Sequence, residues 1–264
     1  MLNIVVLTNM DVSAHYALSL LLPAIDSHDV HIFKSSKVGG TNNLPSALLD
    51  LAQFETKLLQ SPEFKDSPLH SAKLLDHINS PEGLKQLSTL KPDVILSIRF
   101  GKILRDPIIK LPKFGVLNLH SGLLPEFRGV MATFWAMLDT AKAISVDSPR
   151  EPKQPLIGAT IHSIDDASID TGQIITRIPI ELVNSKSYWW NVLNVYKQSV
   201  PELVKSIQTI EIGGPLVGQP QTNAGNYFSY PTEESILAFH KKGLKLFEPS
   251  DLSDFLTKHL ADKN

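Results

Sequence analysis

Two short polar stretches contain the residue types of an active site that acts on a carbonyl group. In the first, Asn118-Leu119-His120, the polar side chains lie two positions apart, so on a strand they project from the same face. An amide and an imidazole placed together can donate hydrogen bonds to the oxygen that becomes negative when a carbonyl carbon is attacked, each worth roughly 2.7–4 kcal/mol. The spacing predicts that Asn118 and His120 stabilise such an oxyanion together.

A carboxylate is expected to complete this pair. Asp170, in the stretch Ile169-Asp170-Thr171-Gly172, follows His120 by 50 residues and lies on a turn between two predicted strands. It can orient His120, position a water or accept a proton from an attacking amine. Asn118, His120 and Asp170 are therefore the predicted catalytic residues. For His162, on a predicted strand, a structural and a catalytic role stay equally open.

The elements that must position these residues alternate between strands and helices. Four apolar runs predict strands, with a short helix between the last two: Ile4–Leu7, Val30–Phe33, Val94–Ile98 and Val116–His120. Leucines at helical spacing predict a helix near residues 45–60, and Ser80-Pro81 begins another that runs to about Leu90. The predicted fold is α/β, with an open, mostly parallel Rossmann-like sheet flanked by helices and ligands at the carboxyl ends of its strands.

The chain is expected to divide after residue 212. Residues 1–212 would form the catalytic domain, which also includes two further strands and a long helix: Ile157–Ile164, Ile174–Leu182 and Tyr188–Ile210. The glycine- and proline-rich stretch from Gly213 to Asn226 has the composition of a linker. Residues 213–264 would be a linker and a small C-terminal extension with two short helices, at Glu233–His240 and Ser250–Leu260, and too few residues for a core of its own. Its segment Tyr227–Pro231 either packs on the surface or closes over the acceptor site.

Composition excludes several classes of function. The formal net charge is −2 and there is no long basic stripe, which disfavours nonspecific nucleic-acid binding. The chain has no cysteine, so it has no disulfide framework, thiolate nucleophile or cysteine-ligated metal. No clustered set of His and Asp ligands is visible either, so no metal is expected. The start of the chain lacks the basic region of a signal peptide and the apolar length of a membrane span, which predicts a cytoplasmic protein without membrane contact.

Taken together, the motifs resemble those of the folate-dependent formyltransferase superfamily, which includes methionyl-tRNA, glycinamide-ribonucleotide and amino-sugar formyltransferases. The resemblance covers about residues 1–210 and lies in an ordered pair of motifs, the second being Asp170-Thr171-Gly172. The first motif joins Asn118 and His120 to a Leu-Leu-Pro turn and an Arg-Gly pair, Leu123-Leu124-Pro125 and Arg128-Gly129. This resemblance implies transfer of a formyl group from 10-formyltetrahydrofolate to an amine, without a metal.

The same resemblance implies where the two substrates bind. The pterin ring of the donor would lie against the segment before the catalytic strand, largely through backbone groups, with a second wall at Ile164 and Ile169. That segment comprises Phe100, Gly101, Lys102, Ile103 and Leu104. Arg128 is expected either to bind an anionic part of a substrate or to pair within the protein.

The acceptor is less specified. The stretch Asn9–Ser13 after the first strand has no glycine for a phosphate loop, which argues against a ribonucleotide acceptor. The 52 residues from Gly213 onward are too few for the β-barrel with which full-length tRNA-specific relatives contact nucleic acid. An amino-sugar nucleotide or another small amine is therefore the leading acceptor class, with methionyl-tRNA as the alternative. A homodimer is compatible with the sequence.

Two further alternatives share the same donor. A 10-formyltetrahydrofolate hydrolase would use water in place of the amine, but hydrolases of this kind carry an N-terminal regulatory domain, for which a first strand beginning at Ile4 leaves no room. A non-catalytic folate-binding protein would not need Asn118, His120 and Asp170 together.

Overall fold

The computed structural model describes residues 1–36, 44–139 and 156–255. Most of the loop expected at Ser35–Asn43 lies outside these ranges. Nine strands are present among the described residues: β1 (Asn3–Thr8), β2 (Asp29–Lys34), β3 (Lys73–Leu74), β4 (Val94–Ser97), β5 (Val116–His120), β6 (Arg128–Gly129), β7 (Leu156–Ser163), β8 (Ile174–Glu181) and β9 (Tyr227–Phe228).

Seven of these strands form the predicted open sheet. Their order is β3-β2-β1-β4-β5-β7-β8, and every pairing from β3 to β5 is parallel. β7 and β8 pair antiparallel, so the sheet is mixed at one edge. Strands β6 and β9 form a separate parallel pair. The parallel strands β1, β4 and β5 end at the same edge, which brings the residues after each of them together.

The central strands are buried on both faces because helices cover each side of the sheet. Alternate residues of β1 face opposite layers, with Ile4 and Val6 in one buried cluster and Val5 and Leu7 in the other. The first layer contains α1 (Val12–Ala24), α2 (Ser46–Leu59), α5 (Ala132–Leu138), α6 (Tyr188–Glu211) and α7 (Glu233–Lys241). The second is covered by α4 (Pro81–Ser88) and the segment before β5. A one-turn helix α3 (Pro68–Ser71) and two 3-10 helices, Pro62–Phe64 and Pro249–Leu252, complete the described elements.

The helices predicted near residues 45–60, from Ser80, at Tyr188–Ile210 and at Glu233–His240 are confirmed. The helix expected at Ser250–Leu260 lies partly outside the described residues, which end at residue 255. The short helix expected between β4 and β5 is wrong, because residues 99–115 form only turns. Pro107 and Pro112 lack the N–H that a continuing helix needs and interrupt this stretch at two places. None of the helices in the described part of the chain has both the length and the apolarity needed to cross a bilayer.

Residues after the expected boundary at 212 share the core of the domain. The ring of Phe239 on α7 stacks on Phe134 of α5 with centroids 4.5 Å apart. The carbonyls of Lys245 and Leu246 accept hydrogen bonds from the first amides of α6, Tyr188 N at 2.8 Å and Trp189 N at 3.0 Å. Helix N-termini leave such amides without partners inside the helix. The extension therefore completes α6 as well as covering it.

Gly225→Ala and Gly213→Ala form a matched pair that tests how the extension docks. Both glycines have positive φ, 58° and 77°, so alanine should cost roughly 1–2 kcal/mol at either position. A Cβ at Gly225 would lie 1.8 Å from the Pro125 carbonyl oxygen, whereas one at Gly213 meets no described atom within 4 Å. We expect Gly225→Ala to lower the free energy of unfolding clearly more, as measured by urea denaturation.

Hydrogen exchange supplies the local readout for the same pair. The amide of Arg128 donates to the Asn226 carbonyl at 2.9 Å, and Gly225→Ala should accelerate its exchange because the neighbouring segment must move away from Pro125. Equal destabilisation by the two variants, with unchanged exchange at Arg128, would contradict this account of docking.

Candidate active site

A cleft of about 1050 Å³ opens at the edge where β1, β4 and β5 end. This is the place where open parallel sheets bind ligands, and the volume is at the upper end of the ~300–1,000 Å³ typical of small-molecule sites. Asn118, His120 and Asp170 all lie on its wall, together with His162. Asn118 and His162 are direct neighbours across the β5–β7 pairing.

Asp170 lies at the centre of the polar contacts in this wall. Its backbone is left-handed, with φ of 55°, a conformation that Asp tolerates better than most residues. Its Oδ2 accepts a hydrogen bond from the Gly129 amide at 2.7 Å and lies 3.6 Å from His120 Nδ1. Its Oδ1 lies 3.4 Å from Asn118 Nδ2 and 3.5 Å from His162 Nε2.

These neighbours keep the carboxyl group of Asp170 ionised. Burial alone would raise its pKa, since only 11% of the side chain is exposed. The charge of His120, the hydrogen bond and charge of His162, and the amide of Gly129 outweigh burial and hold the pKa of Asp170 well below its usual range. The site therefore presents a fixed negative charge beside His120.

The tautomer of His120 follows from its contacts. Its Nε2 lies 2.7 Å from the Phe127 carbonyl oxygen. A carbonyl can only accept, so Nε2 carries a hydrogen and Nδ1 is the nitrogen that faces Asp170. Gly122 makes this contact fit, because a Cβ there would lie 2.8 Å from His120 Nε2 and 2.4 Å from Ala132 Cβ.

His162 is fixed by the same logic and in turn orients Asn118. Its Nδ1 lies 2.8 Å from the Ser163 carbonyl oxygen, so Nδ1 carries a hydrogen. In the neutral ring Nε2 is then an acceptor for Asn118 Nδ2, which lies 3.0 Å away. In the protonated ring the same nitrogen is a donor that faces Asp170 Oδ1 at 3.5 Å. His162 is 1% exposed. Its contacts make it a positioning residue for both Asn118 and Asp170.

The residues expected to hold the donor meet in this cleft. Phe100, Gly101, Lys102, Ile103 and Leu104 form one part of its wall, and Ile164 and Ile169 belong to another. The ammonium group of Lys102 lies 3.4 Å from Asp76, so its charge is already paired. The Gly101 amide donates to Ser35 Oγ at 3.0 Å, which ties the segment to the end of β2.

Arg128 is placed differently from the expectation of a substrate contact. It is absent from the cleft wall formed by the described residues, and its guanidinium group points at the C-terminal segment. Its Nε and Nη2 donate to Gln221 Oε1 at 3.1 and 2.6 Å, and its other contacts are with the carbonyls of Asn223 and Ala224. The geometry favours the other expectation, pairing within the protein.

Sequence reasoning missed a second polar group in the cleft, formed by Asp11, Glu55 and Arg99 and called here the Arg99 cluster. Asp11 and Arg99 lie three and two residues after the ends of β1 and β4, which are neighbours in the sheet. That position was a usable signal, because residues after adjacent parallel strands meet at one edge. Glu55 lies on α2, and its spacing indicates only one face of an amphipathic helix.

The segment Tyr227–Pro231 is part of the cleft rather than remote surface. Tyr227, Ser229, Tyr230 and Pro231 line its wall, and Trp135 Nε1 donates to the Ser229 carbonyl at 3.0 Å. The described residues contain no group of three or more His, Asp or Glu side chains arranged to hold a metal ion.

Comparison with known proteins identifies relatives of this chain. The family model described as formyl transferase matches residues 51–188, which is 138 of the 264 residues. A methionyl-tRNA formyltransferase of Kosmotoga olearia is 28% identical over 173 residues, covering 64% of this chain and 50% of that protein. The chain thus spans about half the length of this curated relative.

Solved structures share the fold at lower identity. A sugar N-formyltransferase from Shewanella aligns with a TM-score of 0.56 and 14% identity, covering 86% of this chain and 76% of that chain. A formyltransferase from Anoxybacillus kamchatkensis aligns with a TM-score of 0.51 and 19% identity, covering 94% and 96% respectively. The chain therefore shares its overall fold with both of these proteins.

The depressed pKa of Asp170 predicts how stability depends on pH. An unfolded Asp binds its proton near pH ~3.9, whereas folded Asp170 stays ionised to lower pH, so its contribution is present above that value and is lost as the pH falls. We expect Asp170→Asn to cost on the order of 2 kcal/mol at neutral pH and progressively less below about pH 4. Asn also tolerates positive φ.

Urea denaturation of both proteins between about pH 3 and pH 7 measures this difference. Asp166→Asn is the control, since Asp166 lies on the same loop and is exposed, and its substitution should leave the acid limb unchanged. A stability gap between wild type and Asp170→Asn that does not change with pH would show that charge is not what holds Asp170 in place.

Proposed function

Because the chain belongs to the formyl transferase family, we propose that it transfers the formyl group of 10-formyltetrahydrofolate to an amine. One observation carries the proposal: an amide and an imidazole lie 3.4 and 3.6 Å from the ionised carboxylate of Asp170 on the wall of one cleft. This is the set of groups that stabilises an oxyanion and manages a proton in acyl transfer.

The formyl donor is assigned to the part of the cleft between Phe100–Leu104 and the wall at Ile164 and Ile169. A flat bicyclic ring is held by apolar walls and a few backbone contacts. The segment Phe100–Leu104 offers both, since the charge of its lysine is already paired with Asp76. The Anoxybacillus structure was solved with tetrahydrofolate, which supports a folate site in this fold.

The acceptor is proposed to be an amino-sugar nucleotide or another small amine. The Shewanella protein with the same fold is a sugar N-formyltransferase, and the net charge of −2 offers little attraction to a polyanion. A methionyl-tRNA acceptor is the second candidate, and the Kosmotoga relative supports it.

The reaction begins when the neutral amine attacks the formyl carbon. A nitrogen–carbon bond forms and the carbonyl π electrons move to the oxygen, which needs hydrogen-bond donors. Asn118 Nδ2 supplies one, because its 3.4 Å contact with Asp170 is longer than its 3.0 Å contact with His162 and is the easier one to redirect. The second donor is His120 Nδ1 in its protonated form, which lies 3.6 Å from Asp170 Oδ2.

The tetrahedral intermediate then collapses by breaking the bond between carbon and N10 of the folate. The electron pair leaves on N10, which takes up the proton released by the attacking nitrogen. Asp170 holds the charge of His120 during this transfer, directly or through a water. His120 Nε2 takes no part, since its hydrogen is committed to the Phe127 carbonyl.

A formyl-release assay tests the proposed function. Wild type and Asp170→Asn are incubated with 10-formyltetrahydrofolate, alone and with amines that include amino-sugar nucleotides and methionyl-tRNA. Turnover that requires one amine and is lost in the variant is the expected result. Equal turnover without amine would identify a hydrolase, and folate binding without any turnover would identify a non-catalytic folate-binding protein.

The two oxyanion donors are tested separately. We expect Asn118→Ala and His120→Gln each to lower kcat by about 10²–10³-fold and to leave folate affinity nearly unchanged, because the donor is held by a different part of the wall. Stopped assays give kcat, and fluorescence titration gives folate affinity. His31→Ala, a partly exposed histidine on β2, is the control, and a comparable loss of kcat there would undermine the assignment.

A further inference from the structure

The Arg99 cluster lies in the same cleft as the catalytic residues but has no role in the chemistry above. Arg99 Nε lies 3.0 and 2.8 Å from the two carboxylate oxygens of Asp11. The exposed fractions of the two side chains are 23% for Arg99 and 13% for Asp11. The cation is therefore paired within the protein before any ligand arrives.

Asp11 also occupies the anion site at the start of α1. It is the N-cap residue, and its Oδ1 accepts a hydrogen bond from the Ala14 amide at 2.7 Å. The first amides of a helix that follows a strand are a common place for a ligand phosphate. Here a carboxylate of the protein takes that place, so a phosphate would meet a negative charge instead of free amides.

Glu55 adds a second carboxyl group on the side of α2. Burial, and then the charge of Asp11, raise the pKa of Glu55 to about 8, although Arg99 and the amide of Val12 act in the opposite direction. At neutral pH this carboxyl group is mostly protonated, so it can both donate and accept a hydrogen bond. With Glu55 neutral and Arg99 paired with Asp11, the cluster has no net charge to offer an anion.

Neighbouring polar groups point to a ligand that both donates and accepts. Asn9 is 5% exposed on the cleft wall; its Nδ2 donates to Asp11 at 3.0 Å, and its Oδ1 has no hydrogen-bond partner among the described residues. Tyr188 and Tyr230 line the cleft beside the cluster, where burial raises the pKa of Tyr230 to about 12. An unpaired buried acceptor costs about 1–3 kcal/mol unless a ligand supplies a donor.

We propose that the Arg99 cluster binds the hydroxyl-bearing part of the acceptor, such as the ring of an amino sugar, and discriminates against acceptors that place a phosphate there. Sugar hydroxyl groups both donate and accept hydrogen bonds. They therefore match the protonated carboxyl group, the amide and the tyrosine hydroxyls of this part of the cleft. A phosphate would instead be left facing Asp11 with the guanidinium already engaged, and leaving a charge without a partner gives strong discrimination. This inference rests on the proposed function, because it names which acceptors that chemistry uses.

Direct binding tests the inference independently of turnover. Saturation-transfer NMR compares glucosamine and galactosamine with their 6-phosphate esters, which differ only in the phosphate group, and uses inorganic phosphate as a further probe. Wild type should bind the free amino sugars at least ~10-fold more tightly than the esters. No amino-sugar binding, or equal or tighter binding of the esters, would overturn the proposal.

Two substitutions separate a binding role from a structural one. Glu55→Ala should weaken amino-sugar binding at least ~10-fold, whereas Glu55→Gln, which keeps a donor and an acceptor, should retain most of it. Asp11→Asn preserves the helix cap and releases Arg99, so it should shift preference toward the 6-phosphate esters. Glu63→Gln, an exposed glutamate outside the cleft, is the control, and Glu55→Ala behaving like it would also overturn the proposal.

The outcomes distinguish this inference from the proposed function. Amine-dependent formyl transfer without discrimination among the sugars would leave formyl transfer standing and remove the sugar site. Discrimination among the sugars without any formyl transfer would retain the binding site and remove the proposed chemistry.

Discussion

The arrangement of the site depends on one buried carboxylate that needs polar and charged partners in place of water. A charge taken out of water costs several kcal/mol unless donors replace the solvent, and Asp170 is 11% exposed. Its partners come from β5, β7 and the Gly129 amide of β6. The need to stabilise one charged side chain therefore holds three separate segments together. The contacts of the proposed catalytic residues are the same contacts that hold the local structure.

The C-terminal segment fixes the backbone on either side of that carboxylate. Gln221 Nε2 donates to the carbonyls of Asp170 and Gly172 at 2.9 and 2.8 Å, while its Oε1 accepts from Arg128. One amide side chain thus joins the turn of Asp170 to the end of the turn that follows β5. A left-handed residue is retained when its surroundings over-determine it, and Gln221 supplies much of that constraint. This explains why Arg128 is engaged away from the cleft.

The sequence was sufficient for the features that depend on local spacing. The period of two in β5 predicted that Asn118 and His120 share a face, and the alternation of apolar and helical segments predicted that their strand ends in a ligand-binding edge; both hold in the structure. It was insufficient where the decisive partner is distant. Nothing in the sequence near Arg128 indicates that its partner is a glutamine 93 residues later. Between β4 and β5 the apolar residues favoured a helix, but the prolines of that stretch prevent one. The partners of Glu55 likewise become visible only once α2 is packed against the start of α1.

The two buried carboxyl groups of the cleft show why burial alone does not decide protonation. Burial raises the pKa of both Asp170 and Glu55, yet the pKa of one is held well below its usual range and that of the other is raised to about 8. Asp170 faces two histidines and an amide. Glu55 instead faces the carboxylate of Asp11, with which the guanidinium group of Arg99 is already paired. At neutral pH one end of the cleft therefore carries a fixed charge and the other a proton. Two carboxyl groups whose pKa values are driven apart by their neighbours are suited to different roles. The charged one is suited to the proposed proton transfer at His120, and the protonated one to hydrogen-bonding a neutral ligand.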